Sequence, residues 1–227
     1  PLNRTEAYIA YSMYFIPSVA YGGISLSPTS HEIMHLQKRY LPTLLKNMGY
    51  QSSFPRALVF PPKVVGGLGI TPLNVIILQR KIQFMYRHLR LNSNIGKLLL
   101  INLRWAMLQM GQREPPFTTS NNIAYIENVW VIHLHEELTE MSGKLLLKEL
   151  HRGILQLTGD EFLMDIFTRL YSNITRLKHL NYCRMYLKVA RLSDITINDG
   201  KYIQSQMYYG GKQNDMSNQQ WPYQEKP

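Results

Sequence analysis

Apolar residues recur along this chain mostly at intervals of three and four, the helical period, in runs broken by Pro, Gly and Asn clusters. Residues 5–21 alternate aromatic and small side chains (Tyr8, Tyr11, Tyr14, Phe15, Tyr21), which predicts a helix bent or ended near Pro17. Thr29 with Glu32 three positions on forms a capping box, in which hydroxyl and carboxylate satisfy each other's orphan backbone donors. The stripe that follows is Ile33, Leu36, Tyr40, Leu41, Leu44 and Met48, kinked at Pro42 and ended by Gly49. Thr71-Pro72 opens another helix to about Arg90. Leu78, Ile82, Met85 and Leu89 share one face of it, Arg80 and Arg87 lie opposite, and Lys81 and His88 flank them. Ser93 or Asn94 can cap a helix over residues 97–110 that is apolar nearly all round; this is the expected central core helix, ended by Gly111.

Between the second and third of these helices, residues 54–70 read Phe-Pro-Arg-Ala-Leu-Val-Phe-Pro-Pro-Lys-Val-Val-Gly-Gly-Leu-Gly-Ile. Three prolines and three glycines argue against a helix, and the β-favouring pieces 57–60 and 64–65 predict an extended connector lying on a core. Residues 112–123, with Pro115-Pro116 and a Thr-Thr-Ser-Asn-Asn run, mark a linker. Beyond it, helices are expected over 126–141 around Trp130, over 144–150, over 162–171 behind a Thr158–Glu161 capping box, and over 174–190 as a basic amphipathic helix. Asn198-Asp199-Gly200 is a turn able to join short strands 194–197 and 201–203. The tail is rich in Gln, Asn and Gly and reads as disordered. The expected fold is thus mainly α. A basic helical domain over 1–111 contains the extended Pro/Gly connector; a linker over 112–123, a second mostly helical segment over 124–203 and a disordered polar tail over 204–227 follow.

Charge changes this picture more than composition does. The net charge is +10, yet from residue 33 to residue 113 there is no Asp or Glu at all, while the cations Lys38, Arg39, Lys46, Arg56, Lys63, Arg80, Lys81, Arg87, Arg90, Lys97, Arg104 and Arg113 fall inside. At the chain's mean acidic content that window would hold roughly five carboxylates, so the one-sidedness points to a polyanionic partner. The alternative without a partner is a solvated basic face. A chain of 227 residues with 45% hydrophobic content has enough apolar side chains for one large or two small cores. Its single Cys183 excludes an internal disulfide and a CxxC zinc site, and suits a reducing compartment, cytoplasm or nucleus. No apolar run reaches the length of a membrane span, so no membrane partner is expected. The first residue is Pro1, not Met, and the chain reads as a segment of a longer product.

Candidate chemistry is sparse. His31-Glu32-Ile33-Met34-His35 matches H-E-x-x-H, the helical zinc motif of metallohydrolases. No third ligand follows at a suitable spacing, Lys38 and Arg39 sit within a turn of His35, and Glu32 already has a capping role. A zinc hydrolase is therefore a distant reading. Gly66-Gly67-Leu68-Gly69 lacks the spacing of a dinucleotide loop and the Lys of a phosphate loop. His133, His135, Glu136 and Glu137 read as a solvated helix face. Glu161, Asp165, Asp194 and Asp199 are a weak candidate for two-metal chemistry, and His179 with Cys183 shows only ordinary helical spacing.

A resemblance runs through other residues. Pro1-Leu-Asn-Arg-Thr-Glu-Ala, Tyr14-Phe-Ile-Pro-Ser-Val-Ala-Tyr21, Met48-Gly-Tyr, Phe54-Pro-Arg-Ala-Leu-Val-Phe60 and Gly66-Gly-Leu-Gly-Ile70 belong to it, with Arg87-His-Leu-Arg90, Trp105, Leu180-Asn-Tyr-Cys-Arg-Met-Tyr-Leu187 and Leu192-Ser-Asp-Ile195. Together they resemble the region downstream of the polymerase palm in reverse transcriptases of non-LTR retroelements, over about residues 1–205. The resemblance implies a helical thumb and the segment after it, which grip an RNA or DNA primer-template duplex while an upstream palm, with its Mg2+ ions, does the chemistry. The paired aspartates of such a palm are absent here: the first Asp is Asp160, and no two Asp are adjacent. The segment holds no cofactor of its own by this reading and is expected to be inactive alone. Arg56, Lys63, Arg80, Lys81, Arg87 and Arg90 are the candidate phosphate contacts. The alternative from a different class is a stand-alone helical binding or scaffold protein.

Overall fold

Helix caps and breakers in the sequence account for most element boundaries. The computed structural model describes residues 3–150, 159–197 and 201–204. Asn3 caps α1 (Arg4–Ala10) in a capping box with Glu6. The chain then widens into a π-helical turn (Tyr11–Phe15) before α2 (Ile16–Leu26). Pro17 has no N–H to give to the turn behind it, and the widened turn falls directly ahead of it. The helix therefore passes Pro17 and ends at Ser27, whose φ of 45° is left-handed. Thr29 and Glu32 make the expected capping box at the start of α3 (Ser30–Asn47): Glu32 Oε2 accepts from the Thr29 N–H at 2.8 Å, and Thr29 Oγ1 accepts from the Glu32 N–H at 3.3 Å.

The connector departs from the expected extended form. Residues Arg56–Val59 make one turn of helix, α4, and Lys63–Val65 make a 3-10 turn. Pro55 and Pro62 each sit just ahead of a turn, where a missing donor costs nothing, so prolines that forbid a long helix still start short ones. Hydrogen bonds close the loop on itself: Leu68 N–H to Leu58 O at 2.9 Å, Gly69 N–H to Pro61 O at 2.9 Å and Ile70 N–H to Val59 O at 3.2 Å. A Cβ at Gly67 would stand 2.0 Å from Pro61 O, so only glycine permits that approach. Val59 and Ile70 are buried, whereas Val64 and Val65 project into solvent rather than onto a core.

α5 (Leu73–Arg90) starts one residue later than expected, and its first free N–H is satisfied from α3: Leu73 N–H donates to Gln37 Oε1 at 2.9 Å. Ser93 Oγ accepts from the Gly96 N–H at 3.1 Å and opens α6 (Asn94–Met110). α7 (Val129–Glu140), a 3-10 turn (Lys148–Leu150), α8 (Leu163–Leu170) and α9 (Ile174–Leu187) follow. A 3-10 turn (Leu192–Asp194) leads into an antiparallel pair, β1 (Thr196–Ile197) with β2 (Tyr202–Ile203), in the register Thr196 to Ile203 and Ile197 to Tyr202. The structure is mainly helical, as the periodicity predicts. α8 begins behind Phe162, and Gly159 is a left-handed turn, so the expected Thr158–Glu161 box does not start it. Thr158, the 198–200 turn and the polar tail beyond residue 204 lie outside the described residues.

The chain divides into two compact units, Pro1–Leu99 with Glu136–Met141, and Leu100–His135 with Ser142–Pro227. In the first, Ala7, Tyr11, Leu41, Leu44, Leu45, Met48, Val59 and Ile70 form one core cluster and Ile33, Leu73 and Ile77 a second. Gly23 lets α2 approach α5, since a Cβ there would lie 3.0 Å from Ile77 Cγ1. In the second unit, Arg184 is the main polar tie. Buried on α9, it donates through Nη2 to the Leu108 and Gln109 carbonyls at 2.7 and 3.0 Å, filling acceptors that the end of α6 leaves open. Within the stretch expected as a linker, Gln112, Phe117 and Thr119 are buried, and Leu145 N–H donates to Phe117 O. The division between the two units falls inside α6 and α7. α6 is not buried all round, for Leu98, Ile101, Trp105 and Leu108 are exposed. Among the described residues no helix is long and apolar enough to cross a membrane.

Candidate nucleic-acid interface

The six candidate cations separate cleanly by exposure. Arg80, Arg87 and Arg90 stand on the solvent face of α5, at i, i+7 and i+10, so they form one ridge along the helix. Arg80 Nη1 donates to Gln83 Oε1 at 3.3 Å, and the Arg90 guanidinium lies 5.8 Å from the Tyr86 ring centre. Arg56 and Lys63 are exposed on the connector, one at the start of each short helix. Lys63 Nζ sits 5.4 Å from the Tyr8 ring centre, and Arg56 Nη2 donates to Ser52 O at 3.5 Å. None of these five has a carboxylate partner among the described residues, so their charge is directed at solvent.

Lys81 is the exception and the correction. It is fully buried, and its Nζ donates to Glu137 Oε1 at 2.7 Å. An ammonium held there reaches no phosphate. The sequence carried a signal for this: Lys81 is four residues from Ile77 and Met85 and three from Leu78, and all three are buried, so Lys81 lies in the middle of the core stripe. No local pattern carries its partner, since Glu137 lies 56 positions away, beyond the acid-free window. The rest of the face assignment holds, with Leu78 and Met85 buried and Ile82 and Leu89 half-buried.

The weaker motifs resolve into local roles. His31 and His35 are exposed on α3 and Glu32 is taken up by the cap. Glu161 pairs with Arg169 at 2.7 Å, Asp165 accepts from the Arg113 N–H at 3.0 Å, and Asp194 accepts from the Ala190 and Arg191 N–H groups at 2.7 and 2.8 Å. Asp199 is outside the described residues. His135 is buried with Nε2 3.1 Å from Thr119 O, not on a solvated face. Among the described residues no group of three or more His, Cys, Asp or Glu is placed to share a metal.

One feature of the first unit has no counterpart among the expected sites. Tyr11 stacks on Phe15 and on Tyr40 with ring centres 5.7 Å apart in each pair, and Phe15 meets Tyr40 tilted by 50° at 4.6 Å. The Tyr11 and Tyr40 hydroxyls lie 3.3 Å apart. Burial, and then the hydrogen bond to Tyr40, pushes the Tyr11 hydroxyl well above the ordinary phenol range; burial also raises Tyr40, partly offset by the same bond. These rings line an open groove of about 610 Å³ between the first helical stretch and α3.

No protein-family profile matches the chain, and neither a curated protein nor a solved structure matches it.

Proposed function

We propose that this chain is the nucleic-acid-gripping part of a retroelement reverse transcriptase, the thumb and the segment after it, acting beside a catalytic palm that it does not contain. The observation that carries the reading is the set of five exposed cations, Arg56, Lys63, Arg80, Arg87 and Arg90, in a stretch without a single carboxylate. A polymerase must hold its primer-template without reading it. Long cationic side chains on phosphates do this, whereas base contacts would stall at disfavoured sequences. The three arginines on one α5 ridge give a rigid helical mount for such contacts, and the hydrogen-bonded connector fixes the other two cations. Catalysis belongs to the palm and its Mg2+ ions; the part of this chain is to keep the duplex in place between additions.

The test is binding of labelled duplexes of unrelated sequence to the whole chain, together with the coding sequence upstream of Pro1. Comparable affinity on every duplex and an upstream Tyr/Phe-x-Asp-Asp motif are expected. Absence of both would overturn the reading.

A second reading, a stand-alone helical scaffold, has one observation in its favour. In the second unit, Ile101, Trp105 and Leu108 are exposed at i, i+4 and i+7 along α6, the spacing of a helix face that packs on a partner. Failure of duplex binding with retention of a protein partner by that face would favour it.

A further inference from the structure

We infer that the aromatic groove between the first helical stretch and α3 takes an unpaired nucleobase from a single-stranded extension of the bound duplex, stacked against Tyr14. The inference rests on the nucleic-acid reading above and adds to it a second, distinct contact. Three features of the groove point to this occupant. Its floor is the aromatic trio Tyr11, Phe15 and Tyr40, and Tyr14 stands beside them at 74% exposure among the described residues. Aromatic faces of this kind hold single strands because every base has a π-face.

The polar groups at the groove suit a base edge. Thr43 and Asn47, one turn apart on α3, line it, and neither side chain has a hydrogen-bond partner among the described residues. A carboxamide both donates and accepts, as base edges do. Ser18, by contrast, is engaged, its hydroxyl donating to Tyr14 O at 2.7 Å.

Charge gives the third feature. Arg39 lies four residues before Thr43 and Lys46 three after it, so both are neighbours of Thr43 along the exposed side of α3. No carboxylate is among the described residues that line the groove. An apolar side chain of a protein partner would gain nothing from these two cations, whereas a nucleotide brings a phosphate that exposed cations within a turn of Thr43 suit. The π-helical turn, a distortion common at binding sites, contributes Tyr11, Tyr14 and Phe15 to the groove lining.

The experiment compares the whole chain on a blunt duplex and on the same duplex carrying a short single-stranded extension with 2-aminopurine, made as DNA and as RNA. The extension should tighten binding about five- to a hundredfold and the 2-aminopurine emission should be quenched by stacking. Tyr14→Ala should abolish both effects and leave blunt-duplex affinity unchanged; Tyr14→Phe should keep them; Asn47→Asp should weaken the extension's contribution. Tyr14 is exposed, so folding survives its truncation. If the blunt duplex binds but the extension adds nothing, the inference fails and the duplex reading stands. If the extension binds and the blunt duplex does not, the groove stands and the duplex reading fails. Equal weakening of both substrates by Tyr14→Ala would place the groove inside the duplex footprint and overturn the inference.

Discussion

Glu137→Ala should be among the most damaging single substitutions in the chain. It would strip the Lys81 ammonium in the core stripe of α5 of its counter-charge, since Lys81 is fully buried and its one ion pair among the described residues is the 2.7 Å contact to Glu137 Oε1. Breaking a buried pair by deleting one partner costs about 3 to 5 kcal/mol. With a urea dependence of about 2 kcal/mol per molar, the midpoint of the unit that holds α5 should fall by about 1.5 to 2.5 M. Replacing both partners tells the two contributions apart. Lys81→Met with Glu137→Leu removes both charges and keeps an apolar stripe, and it also removes Glu137 Oε2, a buried oxygen without a hydrogen bond among the described residues. That double variant should be close to wild type or above it, and far above either single change. Urea denaturation of the four proteins, followed by circular dichroism, makes the double-mutant cycle. Strictly additive losses, or a mild effect of Glu137→Ala, would show that Lys81 is not buried in this pair and would return it to the candidate phosphate contacts.

On α5, Leu78→Ala or Met85→Ala should cost about 2 to 5 kcal/mol by denaturation midpoint, whereas Arg80→Ala or Arg87→Ala should cost under about 0.5 kcal/mol. Gly67→Ala should open the connector, because its Cβ has no room beside Pro61 O, and should lower the thermal midpoint by several degrees. Arg184→Lys keeps the charge and loses the fork that spans the Leu108 and Gln109 carbonyls; a loss of about 1 to 3 kcal/mol is expected in a thermal melt. Tyr11 and Tyr40 are both held above the ordinary phenol value in the folded chain, so the unfolded chain loses those protons first. Their contribution is complete below about pH 10 and falls as pH rises beyond it, and Tyr11→Phe should flatten that alkaline decline in denaturation midpoints measured from pH 8 to 12.

Local chemistry was the legible part of the fold. The Thr29–Glu32 box, the left-handed Gly49 and Gly111, and the Arg80/Arg87 face of α5 follow from caps, breakers and period, which act over a few residues. What escaped depends on contacts distant in sequence. Gln37 supplies the cap that Thr71 was expected to give, and Glu137 turns Lys81 from a surface cation into a core residue. The form of the connector was not legible, because Pro and Gly density distinguishes regular helix from its absence, but not an extended strand from two short turns closed by their own hydrogen bonds. The 112–123 stretch has a linker's composition, yet Phe117 and Thr119 are buried, and composition carries no record of packing. Charge alone singled out six cations, Arg56, Lys63, Arg80, Lys81, Arg87 and Arg90, and carried nothing to set the buried Lys81 apart from the five exposed ones. The aromatic groove was not legible, since Tyr11 and Phe15 meet Tyr40 only once α3 is placed beside them.

A salt titration of duplex binding tests the central claim most directly, run on two unrelated sequences with the wild-type chain and the Arg80→Ala, Arg87→Ala double variant. If about four of the five exposed cations reach phosphates, log affinity should fall against log salt with a slope of about −3 to −4 on both sequences. The double variant should flatten that slope by about two units and weaken both complexes alike. An unchanged slope, or a loss confined to one sequence, would contradict the account: the acid-free stretch would then be a solvated face, or would read bases rather than hold the backbone.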